Sequence, residues 1–329
     1  MKITDLAIIF TAIFLPMFII LGFRSENLED IRYVELKYSS ALRTAAQDAG
    51  FMLNVNASQG MEPAYDSLKF MNADKELALE SFAKTLYINM GIAEDPAAQA
   101  ALWWYIPALV VIDYDGYYIY ALQSYESDAG EEVLQHVWSP KIPYAWTDSI
   151  GNSVHFTLDS YVNVYESASR QWQRGYQKEL SGRTLVRLLD NEDTFEQMRR
   201  ITIVNQIQEH LTYYIQRHNQ GALRNGISYN FMLPYIAQEE WLNTIDDIGL
   251  LAFIQGLPIG DQYYNNYALG GGRLVKNPVY YGSMDHRGIR YYYREVCSFG
   301  DAILEVFPSA KQAAAAGYLE KSCVNPGVL

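Results

Sequence analysis

Basic residues are in short supply: 25 Lys and Arg against 38 Asp and Glu leave the 329-residue chain with a formal charge of −13. That balance argues against nucleic acid as a partner, because phosphate binding needs clustered Lys and Arg. Cysteine is scarcer still, with only Cys297 and Cys323, too few for a closed tetrahedral zinc site built from thiolates. No Gly-x-Ser-x-Gly, His-Glu-x-x-His or phosphate-loop pattern occurs. The "GGGRL" stretch from Gly270 to Leu274 lacks the Lys-Ser/Thr of a phosphate loop and reads as a flexible turn. The histidines are His136, His155, His210, His218 and His286. His155 alternates with apolar residues as in a strand, while His210 and His218 lie roughly two helical turns apart, too far to share one metal. The expectation is therefore no enzyme, no cofactor, no metal and no small ligand. Internal repeats and long low-complexity linkers are also missing.

What the chain does have is grease at its start. "MKITDLAIIFTAIFLPMFIILGFRSE" contains an apolar run of 18 residues, Leu6 to Phe23, broken only by Thr11, Pro16 and Gly22. As a helix this run spans about 27 Å, close to the hydrocarbon thickness of a bilayer. A secretory signal would be shorter and followed by small residues at a cleavage site, whereas Leu21-Gly22-Phe23-Arg24 is bulky. An uncleaved, single-pass membrane helix is expected, against the alternative of a buried core helix. The Lys and Arg count around it does not decide orientation. Only five residues precede the run, so the remainder is expected on the exported side.

From Ser25 the helical rhythm continues, with Leu28, Ile31, Tyr38, Leu42, Ala45, Ala49 and Met52 forming one apolar stripe. The reading is one helix of nearly 50 residues: a spanning or assembly segment over 1–24, an amphipathic continuation over 25–55, then an exported head over 56–329. Pro16 would loosen this helix without ending it. Asn72 to Gly91 reads as a second amphipathic helix, capped by Asn72 or Asp74, with Leu79, Phe82 and Leu86 inward. "IPALVVIDYDGYYIYALQSYE" reads as a hairpin whose turn holds Asp113, Asp115 and Gly116, with positive φ at Gly116. "VLQHVWSPKIPYAW" and "SVHFTLDSYVNVYE" read as two further strands. Asn191 to Asn219 turns helical, with Phe195, Met198, Ile201, Ile207, Leu211 and Ile215 on its apolar side. A short strand is expected around "SYNFMLPYI", a helix over "QEEWLNTIDDIGLLAFIQG" with Asp246 and Asp247 on its solvated side, and a terminal helix near Ser309. The fold class is α+β: an antiparallel-sheet head with a helical insertion at about 170–258 and a C-terminal subdomain at 277–329. Cys297 and Cys323 suggest a disulfide in an exported protein, worth roughly 3.5 kcal/mol on the chain-entropy model; two separately buried thiols are the alternative. The 27 tyrosines suit wet interfaces and protein contacts, or simply cover strands.

Asp5, beside Thr4 at the helix start, is on local grounds a capped first-turn acid. Together with the apolar run, its mid-helix Pro16 and the amphipathic continuation, it resembles the N-terminal half of type IV pilins and pseudopilins. The resemblance implies self-association of the apolar helices through Leu6, Ile9, Ile13, Pro16 and Ile20, with Asp5 pairing a neighbour's terminal amine, and a structural subunit of a cell-surface filament or secretion apparatus. Asp replaces that family's usual Glu, and no processed leader is evident. "VVIDYDGYYIY" (Val110 to Tyr120) is similar to the central hairpin of extracytoplasmic PAS-like or Cache sensor domains, which implies a membrane-anchored module binding a ligand or partner. Cys297, "AAAAGY" and Cys323 resemble the small zinc module of Ada-type proteins, which uses four cysteines where this chain has two.

Overall fold

The computed structural model describes residues 3–55, 72–126, 130, 132–272, 280–285, 287–294, 302–307 and 310–321; within the first helix, side chains are described from Leu28 onward. Cys297, Cys323 and His286 lie outside the described residues, as does the expected disulfide. The chain falls into two units, 1–274 and 275–329.

Helix α1 (Ile3–Met52) runs for 50 residues, and Pro16 lies inside it without ending it. Its last turns are core: Ala41, Leu42, Ala45, Ala46, Ala49 and Leu53 are fully buried. The alanines keep this face low, so the helix axis can approach the sheet. Leu28, expected on the inner stripe, is 45 % exposed. Ile31 and Tyr38 only border the core. The stripe thus reaches full burial only past Tyr38, where the sheet lies beneath it.

Helix α2 (Lys75–Met90) starts where Asp74 accepts the Leu77 amide at 3.0 Å and stops at Gly91 in the left-handed region. Ala78, Phe82 and Leu86 face inward, with Leu79 half-buried beside them. Helix α3 (Pro96–Trp103), capped by Asp95, was not anticipated from the sequence.

Nine antiparallel strands follow. They are β1 (Ala108–Asp113), β2 (Gly116–Glu126), β3 (Glu132–Trp138), β4 (Ile142–Thr147), β5 (Ser153–Phe156), β6 (Tyr161–Glu166), β7 (Gln171–Tyr176), β8 (Gly249–Ile259) and β9 (Gln262–Gly271). Their order is β7-β6-β5-β4-β2-β1-β8-β9, with β3 also on β2. Strand β1 is buried along its whole length, as its unbroken apolar run requires. In register, Val111, Tyr118, Leu250 and Gly270 stand side by side on the α1 face. Ile112 and Tyr117 point the other way, toward α5 (Glu192–Arg224).

Several expectations need correction. The two expected strands after the hairpin are four, because Ser139-Pro140-Lys141 and Thr157-Leu158-Asp159-Ser160 break each run. "SYNFMLPYI" forms no strand. The helix expected over 238–256 ends early: α6 covers Gln238–Thr244, and Gly249–Ile259 is the central strand β8. A continuous apolar segment carries no period to separate buried strand from buried helix. The non-sheet insertion accordingly shrinks from 170–258 to 177–248, which contains α4 (Gln177–Leu180), α5 and α6. Helix α5 is capped by Asn191, and Ile201, expected inside, is exposed while Ile203 is buried.

Gly270 to Gly272 is no flexible turn. Gly270 and Gly271 end β9, and a β-carbon at Gly270 would meet the Ala46 carbonyl oxygen at 1.7 Å. Gly270 and Gly272 are glycine because the strand end meets the helix backbone there, a β-carbon at Gly272 lying 2.5 Å from the Gly50 carbonyl oxygen.

In the second unit β10 (Tyr280–Met284), β11 (Arg290–Arg294), β12 (Ile303–Phe307) and β13 (Leu319–Glu320) form a sheet in the order β12-β10-β11-β13, with α7 (Ala310–Ala315). Tyrosines dominate its two small buried clusters, Tyr291 and Tyr293 in one, Tyr292 and Tyr318 in the other.

Candidate functional site

The N-terminal residues singled out above (Asp5, Leu6, Ile9, Ile13, Pro16 and Ile20) all lie within the α1 backbone; their side chains are outside the described set. Among the described residues no helix is long and apolar enough to cross a membrane. What can be followed is how α1 is seated. Tyr38 meets Tyr264 edge to face at 5.7 Å. The Ser39 hydroxyl accepts from Asn266 at 2.9 Å and from the Tyr264 hydroxyl at 3.2 Å. Near the middle of the buried stretch, Asp48 accepts from Thr85 of α2 at 2.8 Å. Polar pins therefore fix the register of a helix whose apolar contacts alone would let it slide. On the opposite side, Tyr33 and Leu36 are 70 % and 71 % exposed.

Two hollows border this helix. One, about 650 Å³, lies between Leu28, Ile31 and Val34 and the β8–β9 turn at Ile259, Gly260 and Asp261. The other, about 550 Å³, is lined by Arg43, Gln47, Glu240, Asp247, Tyr267 and the three glycines. Tyr267 donates its hydroxyl to Glu240, and that bond, with burial, pushes its pKa up to about 12.

The β1–β2 turn is built around a buried carboxylate. Asp113 accepts the Ala73 and Tyr114 amides at 3.1 and 2.8 Å, and its carbonyl takes the Tyr144 hydroxyl at 3.0 Å. Lys141 binds Asp113 at 2.9 Å and Asp115 as well. Burial disfavours both charges. It raises the Asp113 pKa against the pull of Lys141, whereas the two carboxylates overcome it for Lys141 and hold that ammonium above the usual lysine range. Gly116 does not adopt the positive φ expected of it. It is glycine because a β-carbon there would lie 2.5 Å from the Ile142 carbonyl oxygen of β4. These bonds tie the β1–β2 turn to β4 and to the residues just before α2.

His136, His210 and His218 are each packed into the fold. His210 sits 2.6 Å from the Tyr117 hydroxyl. His218 of α5 bonds the Trp104 carbonyl at 2.9 Å, and its ring centre lies 6.1 Å from that of His136 on β3. Trp103 and Tyr120 pack on His136, and Phe231 on His218. Burial lowers both histidine pKa values to about 4, so the pair is neutral near pH 7. No periodicity argument could pair residues 82 positions apart on a strand and a helix. Asp246, expected on a solvated helix face, lies beyond α6 and binds Arg200 at 2.7 Å. Burial works against the Glu196 carboxylate, but Arg199 and Arg200 hold its pKa down to about 2. No group of three His, Cys, Asp or Glu among the described residues is placed to hold a metal. No protein-family model matches the chain, and no curated protein or solved structure matches it significantly.

Proposed function

We propose that the chain is a structural subunit of a cell-surface filament or secretion apparatus, held and assembled through its N-terminal helix. One observation carries this reading: α1 is a single helix whose final turns belong to the core of the sheet unit, so its apolar first half reaches the head without a linker. A tether that only localises a domain works with a flexible joint. A helix pinned at Ser39 and Asp48 and buried along one face from Ala41 onward instead fixes the head's position relative to whatever grips residues 6–23, which is what a load-transmitting subunit needs.

On this reading Leu6, Ile9, Ile13 and Ile20 meet lipid or identical helices, and the Asp5 carboxylate pairs with a cation of a neighbouring copy. Detergent extraction followed by sizing tests it: large assemblies or filaments are expected. Asp5→Ala should lower assembly while leaving the near-ultraviolet circular dichroism of the head unchanged. A monomer from the native chain, or undiminished assembly from Asp5→Ala, would remove the proposal. A second reading, a membrane-tethered module binding a small ligand, rests on the 550 Å³ cleft beside Arg43 and Tyr267, and there the extracted protein would be a monomer or dimer.

A further inference from the structure

Strands β4 to β7 present two unlike faces. Tyr144, Val154, Phe156, Val162 and Val164 are fully buried, and Phe156 packs on Phe195 of α5 at 5.6 Å. The opposite face follows from the register. His155 pairs Asn163, and Asn163 pairs Arg174; in the next row Ser153 pairs Tyr165, and Tyr165 pairs Trp172. Directly opposed residues of antiparallel strands point to the same side, so these six side chains form two adjacent rows across β5, β6 and β7. Three strands at about 4.8 Å spacing make a platform roughly 10 Å across.

Its chemistry is unlike an ordinary solvated face. Trp172 stands on β7, the edge strand, with its ring 5.1 Å from the His155 ring and 5.3 Å from the Tyr165 ring, and remains 53 % exposed. None of the six is acidic, in a chain whose net charge is −13. Arg174 is exposed and has no ion-pair partner among the described residues. Arg170, also exposed, sits in the hairpin two residues before Trp172 with φ 56°, the one non-glycine residue in the left-handed region among those described. Glycine or asparagine would relax that turn; arginine there places a cation in the β6–β7 hairpin at the platform's end despite the backbone strain. Two acids at the ends of these strands are engaged with their own loops. Glu166 accepts from Leu185 and Ser169, and Asp148 from Ile150 and Asn152.

We propose that this face binds an anionic polysaccharide, with Trp172 and Tyr165 stacking on the apolar face of a sugar ring, Arg174 and Arg170 taking its carboxylates, and Asn163 and His155 its hydroxyls. A sugar ring has one face of C–H bonds and a rim of hydroxyls, which matches aromatic rings interleaved with amide and imidazole groups. A guanidinium is the side chain suited to a carboxylate held in two-point geometry. Burial lowers the His155 pKa, leaving a neutral ring that can both give and accept a hydrogen bond near pH 7. The inference goes beyond the structural role above and does not depend on how α1 is used.

Native affinity electrophoresis of the full chain in detergent, in gels cast with polygalacturonate, hyaluronan or neutral dextran, tests it. Retardation by an anionic gel and free migration in dextran are expected. Arg174→Gln should weaken retardation about tenfold, the loss typical of one charge-assisted hydrogen bond, and Trp172→Ala should weaken it by about as much through loss of the stacking ring. Arg224→Gln, which removes an ion pair to Glu132 on another surface, should leave it unchanged. Trp172→Tyr, which keeps an aromatic ring, should retain most of it. Free migration in both anionic gels, equal retardation in dextran, or full retardation of Arg174→Gln would overturn the proposal.

Discussion

Gly270→Ala tests the seating of α1 most sharply. The added methyl carbon would start 1.7 Å from the Ala46 carbonyl oxygen and must end at 3.0 Å or more. The obstacle is helix backbone, which cannot turn aside as a side-chain tip can. Either α1 lifts from β9, opening space under Ala45, Ala46 and Ala49, or the end of β9 peels from β8. Overpacking a well-filled core typically costs 1–3 kcal/mol, and a clash with backbone belongs at the top of that range, about 3 kcal/mol. For a unit of this size that is a fall in Tm of roughly 6–12 °C. Gly271→Ala is the internal control, since a β-carbon there has nothing within 4 Å; it should stay within about 0.5 kcal/mol of the native chain. Equilibrium denaturation of the three proteins, followed by tryptophan fluorescence, reads the difference. Equal midpoints for Gly270→Ala and Gly271→Ala would refute the backbone contact and the fixed helix argued from it.

Two pH-dependent outcomes follow from buried charge. Lys141→Met strips Asp113 of its cation and should cost about 3 kcal/mol near pH 7. Because Asp113 then has a folded pKa further above its unfolded value, the deficit should shrink toward pH 4 and grow as pH rises, read from urea midpoints at the two pH values. His136 and His218 have folded pKa values near 4 against about 6.5 unfolded. Their contribution is complete above pH 6.5 and lost as pH falls from there toward 4, by about 3 kcal/mol each. His136→Phe should flatten the fall in stability between pH 7 and 4.5; an unchanged slope would show that this histidine is not held neutral.

Helices α1, α2 and α5 were legible in the sequence because one-sided burial writes a 3.6-residue period into each and Asp74, Gly91 and Asn191 mark their ends. The β1–β2 hairpin was legible from its apolar runs and polar turn. Strand β8 was not, because a strand covered on both faces leaves no alternation, and its run followed a true helix closely enough to be absorbed into it. The roles of Gly116 and Gly270 were misread for a shared reason. Each is dictated by a backbone that arrives from elsewhere in the chain, Ile142 in one case and Ala46 in the other. The His136–His218 pair and the His155–Tyr165–Trp172 platform need strand register before they exist at all. Asp113, Asp115 and Gly116 were found by pattern, but the cation that binds the two acids, Lys141, carries no local signal.

Liposome flotation is the most direct measurement of the central claim that residues 6–23 grip lipid or one another while the head rides on the same helix. The full chain, reconstituted and spun through a density gradient after an alkaline wash, should rise with the vesicles, and a chain beginning at Asn27 should stay at the bottom as a folded protein. A full chain that remains at the bottom as a monomer would contradict the account.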